Sequence, residues 1–408
     1  MMQRQALKPL DDALAQLLQH ASVLTQQEVV NTFDADGRVL AQDIVSELQV
    51  PPQDNSSMDG YALRCADLSP GATELPVTQR IAAGSAGVAL RPSSAARIFT
   101  GAPIPPGADA VIMQEDCEAL PGERVRINAT ALPGQWIRRA GEDIASGSVI
   151  LAQGERLSPA ALGLAASVGM STLAVLRRPR VALFSTGDEL VMPGEIAPAQ
   201  MKPGSIYNSN RFFLRALLLR LGCEVSDLGI VPDRLDATRE ALRAAAQAHD
   251  LILTSGGVSV GEEDHIKPAV QSLGELTLWQ IAIKPGKPFA YGHVQDTHFI
   301  GLPGNPVSSY VTFLLLVRPF LLKLQGVREL VPVSVQAQAH FDWPRADRRR
   351  EFLRVRRNGA GGLDLFPNQS SGVLTSAVWG DGLVDNAPGQ TIQHGDSVRF
   401  ISFAEVLR

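Results

Sequence analysis

Residues 181–190, VALFSTGDEL, and residues 250–261, DLILTSGGVSVG, decide the fold. Each is a short apolar run, too brief for a helix, that opens directly into a polar loop containing glycine. Between them the pattern predicts a helix over 208–221 with Asn208 as cap and Gly222 as stop, a strand over 223–231 and a helix over 235–249. Beyond them it predicts a helix ending near Leu273, strands over 276–283, 289–291 and 298–301, and a long apolar helix opened by Asn305 and Pro306. Strands alternating with helices of these lengths imply a largely parallel α/β sheet across about 180–326. In such sheets ligands sit beyond the carboxyl ends of the strands, where these loops fall.

Three loops follow strands in this region: 185–190 (STGDEL), 255–264 (SGGVSVGEED) and 301–306 (GLPGNP). Glycines let successive backbone N–H groups approach an anion, and a helix starting just beyond adds its positive end. Asp188, Glu189, Glu262, Glu263 and Asp264 add the oxygen donors that Mg²⁺ takes beside a phosphate. Between the second and third loops, 283–289 (IKPGKPF) sets Lys284 and Lys287 around a Pro-Gly turn, an arrangement suited to a dianion. Taken singly, each loop reads equally as a tight turn, Asp264 as a helix cap and the lysines as solvated. Their convergence on one sheet edge is what predicts a phosphate-containing ligand.

Working outward, Leu10, Leu14, Leu17 and Leu18 recur on one face of a first helix. Thr25 and Glu28 read as a capping box for a second short helix, and 34–44 as a third. From Val50 to about Glu142 the chain is rich in glycine and proline between short β-like runs, which predicts a small β domain. Ser158 and Pro159 then start a helix that Gly169 ends. Beyond 326 the chain turns β-like again, and 352–356 (FLRVR) alternates as a strand with one wet face should. Of the arginines clustered over 345–357, Arg350 is the one singled out to reach an anion bidentately. The segment 54–62 (DNSSMDGYA) reads as a turn in which Asp54, Asn55 and Asp59 bond their own backbone.

Aromatic residues are only 5% of the chain and its net charge is −5, which argues against nucleic acid and anionic lipid as partners. Cys65, Cys117 and Cys223 are scattered and odd in number, as in a reducing compartment, and no histidine or cysteine cluster has zinc spacing. The N-terminus lacks the apolar core of a signal peptide, and the greasy run 311–317 is too short to cross a bilayer. A cytoplasmic location, with no membrane partner, is the expectation.

With the loops above, 54–62, 100–103 (TGAP), 141–144 (GEDI) and 284–288 (KPGKP) occur in an order that resembles the molybdopterin molybdenumtransferase family, which includes the enzymatic C-terminal domain of gephyrin. One departure is Ser57, where the family often has alanine. The resemblance implies a multidomain α/β and β architecture: a split helical domain over 1–47 and 144–178, an inserted β domain over 48–143, a three-layer α/β molybdopterin-binding-like domain over 179–327 and a small β domain over 328–408. It implies a homodimer with shared active sites. It implies that adenylylated molybdopterin and molybdate are consumed with Mg²⁺, giving the molybdenum cofactor and AMP. Carried over by motif, the acidic residues are Asp59, Asp143, Glu189, Asp233 and Asp264, with Glu189 and Asp264 as metal ligands. Asp59 and Thr100 would meet the substrate from across the dimer. Ser255, Gly256, Gly257 and Ser259 would bind it, Lys284, Lys287 and Arg350 would hold oxyanion oxygens, and Pro303 and Pro306 would shape the pocket floor. Two other activities fit parts of the pattern: an adenylyltransferase that makes the activated pterin from ATP with a similar SGG loop, and a non-catalytic scaffold.

Overall fold

The computed structural model describes residues 7–257 and 265–407. Its centre is a six-stranded sheet in the order Glu224–Val231, Arg180–Thr186, Leu251–Ser255, Thr297–Leu302, Pro288–Val294, Gly274–Gln280. The first four strands are parallel; Pro288–Val294 runs antiparallel to them, and Gly274–Gln280 pairs antiparallel with it in turn. The reversal has a simple cause: only Gln295 and Asp296 separate Pro288–Val294 from Thr297–Leu302, and a parallel return needs a crossover of a dozen residues or more.

Side chains alternate across the central strands. Val181, Leu183, Leu251 and Leu253 face a core shared with Leu214, Leu217 and Phe313. Ala182, Phe184 and Ile252 face Leu242, Ile266 and Val270 on the other side. Both faces are therefore covered by helices, as the continuous apolar runs require. The helical stretch Pro306–Leu324 is long and apolar enough to cross a membrane, but 83% of its apolar window is buried inside the molecule. Phe313–Val317 is a π turn within it. The first helix, Leu10–His20, buries Leu10, Ala13 and Leu17 in the same core, and Lys323 Nζ donates to the Leu18 carbonyl at 2.6 Å.

The stretch after it departs from the helical expectation. Gln27–Asn31 is a strand paired antiparallel with Thr172–Leu176, so the Thr25/Glu28 box caps nothing. Only Thr32–Asp34 is helical, as a 3₁₀ turn, and the rest of 34–44 is a turn at Asp36–Gly37 followed by bridges from Val39 to Arg156 and Leu40 to Val175. Pairing to residues far along the chain overrides the local signals here. The helix Pro159–Ser167 forms as expected, with Ser158 Oγ accepting from Ala161 N at 3.2 Å. The split unit is thus a mixed helix–strand body.

The inserted β domain is a second six-stranded sheet. It hangs from a two-stranded neck, where Val50 and Ile144 exchange both backbone hydrogen bonds at 2.8 and 3.1 Å. At the C-terminus Val335–Ala339, Arg350–Arg357, Gly362–Leu365, Gly382–Asn386 and Ser397–Ser402 pair into a closed ring. The wet face expected for 352–356 is absent at Phe352–Val355, which are all buried. Phe352 packs into the α/β core while Leu353 and Val355 fill the barrel. Arg354, 1% exposed, lies between them, bonded to Ser376 Oγ, the Phe352 carbonyl and the Ser370 carbonyl. Ile283–Lys284 adds to the barrel as a parallel strand beside Arg350 and Glu351, docking it on the α/β domain.

Candidate functional site

A cavity of about 570 Å³ opens at the carboxyl ends of the parallel strands. Each of the four strands contributes to it. Arg180–Thr186 runs into Gly187 and Glu189, Leu251–Ser255 into Gly256 and Gly257, Thr297–Leu302 into Pro303 and Gly304, and Glu224–Val231 leads to Asp233. Pro306 at the start of the buried helix and Pro288 complete its lower wall.

The loop after Leu251–Ser255 needs its glycines. Gly256 and Gly257 have φ of +91° and +67°, and a Cβ on Gly257 would lie 2.5 Å from Ile266 Cγ1. Gly187 has a φ of +142°, which L side chains rarely adopt, and the flexible Glu189 carboxylate folds over it. Gly256 N donates to the Leu302 carbonyl at 3.0 Å, which ties the second loop to the third.

Asn210 strengthens that tie: its Nδ2 donates to Ser255 Oγ at 2.8 Å and to the Gly304 carbonyl at 2.7 Å. Asn208 and Asn210 both line the cavity. The sequence reading took Asn208 only as a helix cap, and it does accept from Arg211 N at 3.3 Å, but Asn210 was missed. The signal was there as NSN at a helix start, two amides where one suffices for capping. Ser185 Oγ, Thr254 Oγ1, Asn208 Nδ2 and Asn210 Oδ1 are buried without a partner. Orphaned polar atoms are costly to leave in a core and concentrate at sites built for a polar guest.

Ser255, Gly256, Gly257, Glu189, Asp233, Pro303 and Pro306 therefore come together. Ser259 and Asp264 lie outside the described residues. Lys284 and Lys287 flank the turn leading to Pro288 but do not line the cavity. Lys287 is exposed, whereas Lys284 Nζ is 3.0 Å from Glu351 Oε1 and 3.5 Å from Asp347 Oδ2.

Arg350 stands elsewhere, in a separate cleft of about 1080 Å³ between the first helix and the barrel. Asp385 takes it bidentately at 2.5 and 2.6 Å, and Asp11 takes its remaining nitrogen at 2.9 Å. The hydrogen bonds it donates to Asp385 raise its pKa further above the usual arginine range. The expectation that Arg350 presents a fork to an anion is corrected: the fork is filled by the protein's own carboxylates.

Asp59, Thr100 and Asp143 belong to the β domain and its neck, not to the cavity. Asp59 Oδ1 accepts from both Thr100 N and Thr100 Oγ1 at 2.8 Å, and the backbone bond chiefly holds its carboxyl below the usual range. Asp54 accepts from Ala140 N at 2.9 Å and from Arg139 at 2.6 Å; the Ala140 bond is the main cause of its lowered pKa. These carboxylates are held by partners 41 to 86 residues away, not by their own turn. Asp143 is exposed at the neck, its N–H bonded to the Val50 carbonyl at 3.0 Å.

A glycine-walled cavity with two carboxylates at the carboxyl ends of a parallel sheet is the ligand-binding position of an α/β enzyme domain, carried here on a larger multidomain chain. Residues 8–169 match the MoeA N-terminal region (domain I and II), 182–323 a probable molybdopterin binding domain and 336–403 the MoeA C-terminal region (domain IV). The chain is 44% identical over 347 residues to a molybdopterin molybdenumtransferase of Haemophilus influenzae, covering 85% of each. It is 42% identical over 307 residues to molybdopterin molybdenumtransferase 2 of Mycobacterium tuberculosis, covering 72% of this chain and 74% of that one. A molybdopterin biosynthesis moeA protein of Pyrococcus horikoshii superposes with a TM-score of 0.83 at 30% identity, covering 98% of this chain and all of the other. The chain belongs to the MoeA family of molybdopterin molybdenumtransferases.

Proposed function

We propose that this protein is a transferase of molybdenum cofactor biosynthesis that inserts molybdate into adenylylated molybdopterin and releases AMP. The observation that carries the reading is the convergence of three glycine loops with Glu189 and Asp233 on one cavity. The reaction brings two anions together and breaks one phosphoanhydride bond, so its barrier is chiefly electrostatic. The backbone N–H of Gly257 donates to a phosphate oxygen, and Pro303 and Pro306 give the pocket a stiff floor. Lys284 and Lys287 bring positive charge to the molybdate oxygens at its edge.

Among the described residues no ready group of three metal-ligating side chains exists. Glu189 and Asp233 nonetheless offer hard oxygen donors on one cavity, and Mg²⁺ is commonly held by one or two carboxylates with substrate phosphate completing the shell. Asp264 joins them by family motif. When bound, the ion neutralises charge on the bridging phosphates.

Asp59 and Thr100 act in this reading from a second subunit of a homodimer, whose β domain closes the cavity. The enzyme works in the cytoplasm. The test is an assay with purified protein, adenylylated molybdopterin, molybdate and Mg²⁺. AMP release that depends on molybdate and needs no ATP is expected. Strict dependence on ATP would replace this reading with pterin adenylylation, and neither activity would leave a scaffold.

A further inference from the structure

We propose that Glu351, with Asp347, is a positioning residue that fixes the ammonium group of Lys284 for molybdate. The proposal rests on the reading above in one respect, that Lys284 is an oxyanion ligand.

Glu351 is 1% exposed, an unusual setting for a carboxylate. Its oxygens are fully used. Oε1 takes Lys284 Nζ at 3.0 Å, and Oε2 takes Trp343 Nε1 at 2.7 Å and Asn386 Nδ2 at 3.3 Å. The only formal cation among these donors is Lys284. A buried carboxylate without a compensating charge is strongly disfavoured, so the Glu351 site holds the ammonium in place. Asp347 approaches the same nitrogen at 3.5 Å and is itself gripped by Arg349 at 2.7 and 3.0 Å. That grip holds Asp347 well below the usual carboxylate range, so it stays ionised. The Trp343 ring lies 5.7 Å from Lys284 Nζ and closes a third side.

The backbone reinforces the clamp. Lys284 and Glu351 are register partners where Ile283–Lys284 joins the barrel. The turn continues through Gly286, where a Cβ would lie 2.4 Å from Thr312 Oγ1, to Pro288 on the cavity wall. A free lysine has a flexible four-carbon stem whose ordering opposes binding. Here that ordering is achieved before the ligand arrives, which is preorganisation. An ammonium group has three donors, and the side chain of Lys284 is still 39% exposed, so a donor remains for an oxyanion. The clamp also balances charge: Lys284 and Arg349 face Glu351 and Asp347. Its contribution is therefore place rather than added attraction.

The test compares Glu351→Gln, Lys284→Gln and wild type by molybdate KM and kcat in the AMP-release assay, by equilibrium binding of molybdate alone, and by melting temperature. Glutamine keeps the shape and can still accept from Trp343. Glu351→Gln is expected to raise the molybdate KM and weaken molybdate binding by roughly tenfold while kcat changes little. Glu351→Asp, which keeps the charge, should recover part of the loss. Unchanged or tighter molybdate binding in Glu351→Gln, or a fall in kcat and melting temperature without a change in KM, overturns the proposal. If Lys284→Gln leaves molybdate binding intact, the lysine is not an oxyanion ligand and the underlying reading fails instead.

Discussion

The cavity and the Asp59 patch are both loop-built and both acidic, yet they are finished differently. At the cavity, the loops of one domain are tied to each other: Asn210 ties Ser255 to Gly304, and Gly256 bonds Leu302. On the β domain, Asp59 and Thr100 bond each other on an exposed surface, and Asp54 is held by Arg139 and Ala140. The first region is a recess with unpartnered polar atoms in its walls. The second is an exposed, charged surface whose geometry its own hydrogen bonds fix. The mark that separates them is in the polar groups: Ser185, Asn208 and Asn210 leave buried atoms unpartnered at the cavity, whereas Asp54 and Asp59 are partly exposed and hydrogen-bonded.

The largest expected effect separates the two at once. Gly257→Ala puts a Cβ against Ile266 in a left-handed conformation, so the loop must shift. Molybdate-dependent AMP release should fall on the order of a hundredfold, the scale of losing one well-placed donor to an oxyanion. Near-normal release would remove this loop from the site. Asp59→Asn should lower the rate by roughly tenfold through lost positioning while the melting temperature stays put. A drop in melting temperature with normal activity would make the patch a structural turn and erase the contrast.

Mixing these two impaired variants sharpens the comparison further. If the patch completes a neighbour's cavity in a twofold dimer, random pairing regenerates about a quarter of wild-type sites. Activity that stays at the mean of the two unmixed variants, with exchange of subunits demonstrated by mass, would confine each site to one chain.

Acid should distinguish the two regions last and most gently. His298, buried against Tyr291, His293 and Phe320, has its pKa pushed down to about 4 by desolvation. Folding thus prefers its neutral form, and the associated stability, present above the unfolded value of 6.5, is lost as pH falls from there towards about 4. The slope from this one group is at most about 1.4 kcal/mol per pH unit. Asp54 and Asp59 have lowered values, so their contribution is present above 3.8 and disappears only as pH falls below it. Hydrogen exchange followed by mass should show 288–302 opening at milder acidity than 54–62. Simultaneous opening would mean that the two domains unfold as one unit.

Much of the cavity was legible in the sequence because continuous apolar strands and glycine loops are local patterns. Arg180–Thr186, Leu251–Ser255 and the loops after them fall where the pattern predicts. What was illegible depended on distant partners. Gln27–Asn31 is a strand because Thr172–Leu176 is beside it, and Asp54 is set by residues near 140. Arg350 looked available because Asp385 and Asp11 are remote in sequence. Glu351 drew no reading from the sequence, since the closing of the barrel that buries it has no local signature.

The first helix has a consequence for how the protein is born. Its Leu18 carbonyl receives Lys323, which is synthesised 305 residues later. At translation speeds of about 5–20 residues per second, Leu10, Ala13 and Leu17 wait roughly 15–60 s on the nascent chain before their packing partners leave the ribosome. Throughout that interval the apolar stripe is open to chaperones, and the enzyme's core can close only when its beginning and its far end meet.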